Sequence, residues 1–320
     1  MLSEFALIAR YFDRSRPRDR LVRLGVGDDC ALITPVAGET LAVSSDMLVE
    51  GRHFFTGADP EKLGHKALAV NLSDLAAMGA RPMAFTLALA LPSADETWLA
   101  AFAKGLFALA DAERIELIGG DTTRGPRNLC ITVMGSVPED QALRRDAARA
   151  GDDLWVSGTL GDARVALEAL QQKISLTPTL LALAEPRLHQ PTPRCALGLA
   201  LRGIAHAAID VSDGLLGDLG HVLSRSQLSA VIETDRLPAG PVLMQQPPER
   251  RLEYLLNGGD DYELCFTAAP AQRDAVYSAA ASAETAVTRI GHLTHGSGVT
   301  LLDAAGGPLS FVSRSFDHFL

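Results

Sequence analysis

Six short clusters carry the residues best suited to chemistry: Gly27-Asp28-Asp29, Ser44-Ser45-Asp46, Asn71-Leu72-Ser73-Asp74, Gly119-Gly120-Asp121-Thr122-Thr123, Asp210-Val211-Ser212-Asp213-Gly214 and Gly258-Gly259-Asp260-Asp261. Glycine beside aspartate lets the backbone turn tightly and approach a ligand, while carboxylates and hydroxyls offer the hard oxygen donors that magnesium takes. Gly-Asp and Ser-Asp pairs are also ordinary turn and cap chemistry. What sets these apart is a shared position at the ends of predicted strands. The sharpest case is Asn71 with Asp74, which lie three apart on a predicted helix that is otherwise largely apolar. A carboxylate there needs a partner, for which a metal, a helix cap or an arginine would serve.

Other catalytic schemes leave no trace. The four lysines, Lys62, Lys66, Lys104 and Lys173, each follow a residue other than glycine, so no Walker A signature exists. Gly25-Val26-Gly27 begins a dinucleotide fingerprint that Cys30 breaks at the third glycine. GxSxG and HExxH are missing, and the four cysteines form no CxxC pair. His53, after Glu50-Gly51-Arg52, stands near an acidic cluster; substrate contact and a simple hydrogen bond are both open to it. Many carboxylates with no evident nucleophile or general base suit phosphoryl transfer, which demands alignment and charge neutralisation above covalent help. If the acceptor is itself a phosphate, its oxygen is already anionic near neutral pH, given a second pKa of about 6.

The elements that must hold these clusters alternate. Helical spacing over 3–13 is followed by a short strand at Thr40–Ser45 that ends at Asp46. Asp59-Pro60 opens a helix to about Gly79, residues 83–91 alternate as a strand, and a helix follows from about Asp95 to Ala112. Ile115–Ile118 reads as a strand running into Gly119-Gly120-Asp121, and Leu129–Val137 as another. Further strands are expected at Asp153–Ser157, Ala207–Val211, Ala230–Glu233, Glu263–Thr267 and Thr288–Gly291. This is the pattern of an α/β protein. A polar, basic stretch over 138–152 divides the chain into domains at 1–140 and 141–320. The net charge of −10 argues against a nucleic-acid or anionic-membrane partner. The N-terminus lacks the basic start of a signal peptide, and no apolar run reaches the ~18 residues of a membrane span, so a cytoplasmic location is expected.

The motifs, from Glu4-Phe5-Ala6-Leu7-Ile8 through Asn71–Gly79, Gly119–Gly125, Ile209–Gly214 and Gly259–Leu264, resemble the thiamine-monophosphate kinase family over nearly the whole chain, ending at Phe316-Asp317-His318-Phe319. The resemblance implies an α/β, two-domain fold like that of aminoimidazole ribonucleotide synthetase. It implies a homodimer whose interface is formed by the N-terminal half, which also binds ATP and metal where domains and subunits meet. The implied activity is transfer of the ATP γ-phosphoryl group to thiamine monophosphate. Carried over by position, it makes Asp29, Ser44, Ser45, Asp46, Asp74, Asp121, Asp210 and Asp213 ligands of several Mg2+ ions. Gly120, Asp121, Arg145 and Ser212 would approach ATP, and His53, Asp260 and Phe316 the substrate. Phe316 stands where relatives often carry Trp or Tyr, and Asp260 where Glu is common, one methylene shorter. Selenophosphate synthetase and hydrogenase-maturation relatives would be expected to show a cysteine near the N-terminus or at the C-terminus, which MLSEF and DHFL lack. A non-catalytic metal and nucleotide sensor is the alternative from another class.

Overall fold

A computed structural model of the chain describes residues 4–14, 21–27 and 29–311; Asp28 and Phe316 lie outside them. The chain divides into two compact units, Met1–Leu75 with Ala80–Asp140, and Ala76–Gly79 with Gln141–Leu320.

The first unit runs α1 (Glu4–Tyr11), β1 (Val22–Leu24), β2 (Leu32–Ile33), β3 (Glu39–Val49), α2 (Pro60–Ala77), β4 (Arg81–Leu91), α3 (Glu96–Ala112), β5 (Glu116–Arg124) and β6 (Asn128–Pro138). Asp59 and Asp95 start the two long helices as expected. Asp59 Oδ1 accepts the N–H groups of Glu61 and Lys62, and Asp95 Oδ1 those of Thr97 and Trp98. The sheet order is β3-β6-β4-β5, with β3 and β5 at the edges. Strand β4 alternates as predicted: Phe85, Leu87, Leu89 and Leu91 are buried, while Thr86, Ala88 and Ala90 turn the other way. Leu68, Leu72 and Leu75 of α2 and Leu99, Phe102 and Leu106 of α3 fill the same core. Each such side chain contributes roughly 1.5–3 kcal/mol by burial.

Two expectations need correction. Asp46 does not end its strand and Asp121 does not follow one: β3 and β5 both continue past them. Strand β3 is held over its whole length by β6, from Glu39↔Pro138 to Val49↔Asn128. Strand β5 continues through a register shift in its parallel pairing with β4, which leaves Ile118 as the extra residue at the Phe85/Thr86 step; beyond it Gly120, at φ +148°, pairs with Leu87. A Cβ on Gly120 would lie 1.9 Å from the Leu87 carbonyl oxygen, so only glycine passes there.

The second unit continues with β7 (Asp153–Ser157), α4 (Asp162–Leu170), α5 (Pro178–His189), α6 (Cys195–Ala200), β8 (Ala205–Val211), α7 (Leu215–Ser226) and β9 (Leu228–Glu233). It ends with α8 (Pro248–Asn257), β10 (Glu263–Ala268), α9 (Arg273–Ser282), β11 (Val287–His295), β12 (Gly298–Leu302) and β13 (Pro308–Leu309). The seven strands lie in the order β13-β12-β9-β11-β7-β10-β8. Strands β7 and β10 are buried along their whole length, which is why they read as apolar runs instead of alternating. Trp155 and Phe266 stack across them at 6.2 Å.

Candidate active site

In the first unit, Ser44 and Asp46 alternate with outward-facing neighbours on β3 and share the face turned toward α2. Ser44 Oγ donates to Asp74 Oδ2. Strand β3 is an edge, so alternate N–H groups lack a strand partner. Asn71 supplies one: its Oδ1 accepts the Asp46 N–H at 3.0 Å, and its Nδ2 donates to the Ala67 carbonyl. Asn71, only 1% exposed, is thus a brace between helix and strand, and half-buried Asp74 is the member that meets Ser44.

Ser45 is not brought to them. Strand alternation turns it to the opposite face, where its hydroxyl donates to the Ile131 carbonyl at 3.2 Å and bonds the Thr132 hydroxyl at 2.9 Å. Exposed Asp121 and Gly120 stand on β5, at the other edge. Gly120 pairs with Leu87, Leu87 with Ile131, and Ile131 with Asp46, so three strand spacings, about 14 Å, separate the two edges. Asp29 is exposed between β1 and β2. His53 lies just beyond β3, half-buried, and its Nδ1 accepts the Val49 N–H at 3.0 Å. That bond leaves the proton of the neutral imidazole on Nε2.

In the second unit, Asp210 lies in β8 with 5% exposure, and the strand runs into a loop bearing half-buried Ser212 and exposed Asp213. The Gly258–Tyr262 loop is laced to it: the Asp260 N–H donates to the Ser212 carbonyl and the Tyr262 N–H to the Val211 carbonyl, both at 2.8 Å. The candidate ATP-binding residue Ser212, the candidate metal ligand Asp213 and the candidate substrate residue Asp260 therefore share one backbone frame. Exposed Arg145 is elsewhere: Ser226 at the far end of α7 donates to its carbonyl. That is about 16 Å along the helix from Leu215.

Three buried acids stand around this frame: Asp218 and Glu263, which sequence reasoning passed over, and Asp261, which it read only as part of the Gly258–Asp261 cluster. Asp218 Oδ2 accepts the N–H groups of Ser212 and Asp213. Burial, reinforced by the Asp213 charge, pushes its pKa up to about 7 against the pull of those bonds. Glu263 has no exposed side chain and meets Arg187 and Arg194 with Ser157. Asp261 accepts the Gly161 N–H through Oδ1 at 2.8 Å, and its buried Oδ2 has no partner among the described residues. Burial raises its pKa well above the carboxylate range. Asp261 and Glu263 lie inside a motif read for other residues, whereas Asp218 lies beyond the end of the Ile209–Gly214 motif and carried no sequence signal.

The Asp261 shift has a pH consequence. With its folded pKa above its unfolded value, the native state binds the extra proton, and stability falls as pH rises from the ordinary carboxylate range through the folded value. Asp261→Asn keeps the acceptor for Gly161 and removes the proton. Between about pH 6 and about pH 9 the thermal midpoint of the wild type is expected to drop further than that of Asp261→Asn. Parallel slopes in the two melting series would contradict it.

Among the described residues no three His, Cys, Asp or Glu side chains form a ready-made metal cluster. Magnesium does not require one, because it keeps several waters and takes one or two carboxylates at a time. The hydroxyl and carboxylate set of Ser44, Asp46 and Asp74, all oxygen donors, fits it.

Both units have the fold of the AIR synthase related proteins: the family's N-terminal domain model matches residues 27–137 and its C-terminal domain model residues 149–303. Hydrogenase maturation protein HypE, 21% identical with a TM-score of 0.74, shows the same fold. Within that class the chain belongs to the thiamine-monophosphate kinase family. It is 45% identical over 318 residues to the thiamine-monophosphate kinase of Salmonella typhimurium, covering 99% of this chain and 98% of that one. The crystal structure of the Stenotrophomonas maltophilia kinase aligns with a TM-score of 0.84 at 50% identity, over 92% of this chain and 94% of that one. A structure described as AaThiL complexed with AMPPCP and TMP aligns with a TM-score of 0.78 at 28% identity, over 89% of each chain.

Proposed function

We propose that the protein transfers the γ-phosphoryl group of ATP directly to thiamine monophosphate, forming thiamine diphosphate and ADP. The observation that carries this reading is full-length likeness to thiamine-monophosphate kinases, with oxygen-donor side chains standing at each motif. The relative complexed with AMPPCP and TMP supports the same pair of ligands here.

In this reading Asp29, Ser44, Ser45, Asp46, Asp74 and Asp121 of the first unit, and Asp210 and Asp213 of the second, would hold Mg2+, directly or through water. Bound magnesium would supply the neutralisation that two polyanions need to approach. The chain's own groups bind and orient. Gly120 presents bare backbone to the nucleotide, and Ser212 and Arg145 approach it. His53, with its proton on Nε2, is a hydrogen-bond donor suited to an anionic acceptor, in keeping with a reaction that requires no base. Asp260 lies close to the nucleotide loop and would offer its carboxylate to the cationic substrate, while Phe316 would stack on a ring.

The partner we propose is a second copy. Leu41, Val43 and Met47 line the outward face of β3 at 51%, 58% and 53% exposure, an apolar surface of the kind that marks an interface. The first unit would then bind metal and nucleotide and dimerise. The location we propose is the cytoplasm; among the described residues no helix is long and apolar enough to cross a membrane.

The purified protein with MgATP and thiamine monophosphate is expected to form thiamine diphosphate and ADP in equal amounts, and a chelator to stop it. Product from free thiamine but none from its monophosphate would sink the assignment; binding without turnover would favour a sensor.

A further inference from the structure

We propose that Asp218 is a positioning residue that holds the Ser212–Asp213 peptide in its ligand-binding shape and, through the Ser212 carbonyl, sets the Asp260 loop as well. The inference rests on the thiamine-monophosphate kinase reading of those two loops.

Asp218 lies in the first turn of α7, 4% exposed, and reaches back over the helix start. Its Oδ2 accepts two consecutive N–H groups, those of Ser212 and Asp213, each at 3.0 Å. Two consecutive amides sharing one buried acceptor oxygen fix the peptide plane between them, and a buried N–H is costly to leave without its partner. The other side of the same residue is also held, because the Ser212 carbonyl accepts the Asp260 N–H at 2.8 Å. Tyr262 adds a second 2.8 Å rung to Val211. Gly259 permits the close approach: a Cβ there would lie 2.5 Å from the Ser212 oxygen. Asp260 itself sits at φ +65°, a left-handed conformation that needs such support.

Ser212 is thus fixed at both its N–H and its C=O, and little rotation is left to it. The nucleotide-side residues and Asp260 are oriented by one frame anchored on one buried carboxyl. Loosening that anchor lets both loops sample non-binding shapes, which lowers the apparent affinity for both ligands. Asp218 need touch neither ligand for this to follow.

The test compares wild type, Asp218→Ala and Asp218→Asn by steady-state kinetics with MgATP and thiamine monophosphate, and by hydrogen exchange of peptides covering 210–216 and 258–262. Asp218→Ala is expected to raise KM for both substrates by about tenfold or more, and to speed exchange in both peptides. Asp218→Asn retains a carbonyl oxygen for the two amides, and its KM values should return to within about threefold of wild type. A residue that merely supports folding would reduce kcat through a smaller folded fraction and leave both KM values alone. That result, or unchanged exchange in the 258–262 peptide, overturns the proposal. Should Asp218→Ala not fold, Asp218→Glu takes its place, its extra methylene displacing the acceptor with the same expected rise in both KM values. If the wild type itself does not turn over thiamine monophosphate, the kinase reading fails, and the exchange data still decide whether Asp218 sets both loops.

Discussion

Asp46→Asn and Asp121→Asn each lower kcat for thiamine diphosphate formation by about a hundredfold or more, with thermal midpoints close to wild type. Each substitution keeps size and removes one charge from the carboxylates that we propose hold cations between two phosphate chains. Single groups that stabilise transition-state charge are worth roughly 10²–10³ in kcat. The fold should tolerate both changes for visible reasons. Asp121 is exposed, and the bond from Asp46 to Asn71 uses its main-chain N–H, which asparagine retains. Steady-state ADP release at saturating magnesium checks the loss, and a magnesium titration should show a raised half-saturation. Near-normal turnover in both variants would remove the metal argument.

Glu263→Ala is expected to cost about 3–5 kcal/mol of stability, the range for breaking a buried ion pair by deleting one partner. Glu263 is fully buried; Arg187 approaches its Oε1 at 2.8 Å, Arg194 reaches Oε1 at 2.5 Å and Oε2 at 2.6 Å, and the Ser157 hydroxyl donates to Oε2 at 2.6 Å. Removing the carboxylate leaves two guanidinium groups, 21% and 16% exposed, with their shared counter-charge gone. Arg187 also donates to the carbonyls of Thr159 and Asp261, so the Gly258–Tyr262 loop should loosen with it. Urea denaturation checks the magnitude. A loss under about 1 kcal/mol would mean that the arginines find solvent once the glutamate is gone.

These two expectations divide along what could be read locally. The aspartate clusters were visible because glycine, serine and aspartate at short spacing carry their own chemistry. The helices α2 and α3 were equally visible, since Asp59-Pro60 and Asp95 cap them from within a few residues. Strand β4 announced its buried face by alternation alone. Each of these signals lies within one turn or one strand.

What the chain order could not show was the partner of each group. Asp46 reads as a strand end until β6, more than 80 residues away, pairs with β3 past it. Ser44 and Ser45 are neighbours in sequence, yet one meets Asp74 and the other turns to the opposite face, a choice made by register. Glu263 and Asp261 sit in a motif read for substrate contact, and only the packing of Arg187, Arg194 and Gly161 against them shows a buried support. The amino-acid sequence by itself determined which side chains could hold phosphate and magnesium and which segments form helix or strand, because propensity and capping act over a few residues. The tertiary structure alone decided which of those side chains share a face and which acids are buried to hold the loops, because strand register and burial depend on residues far apart in the chain.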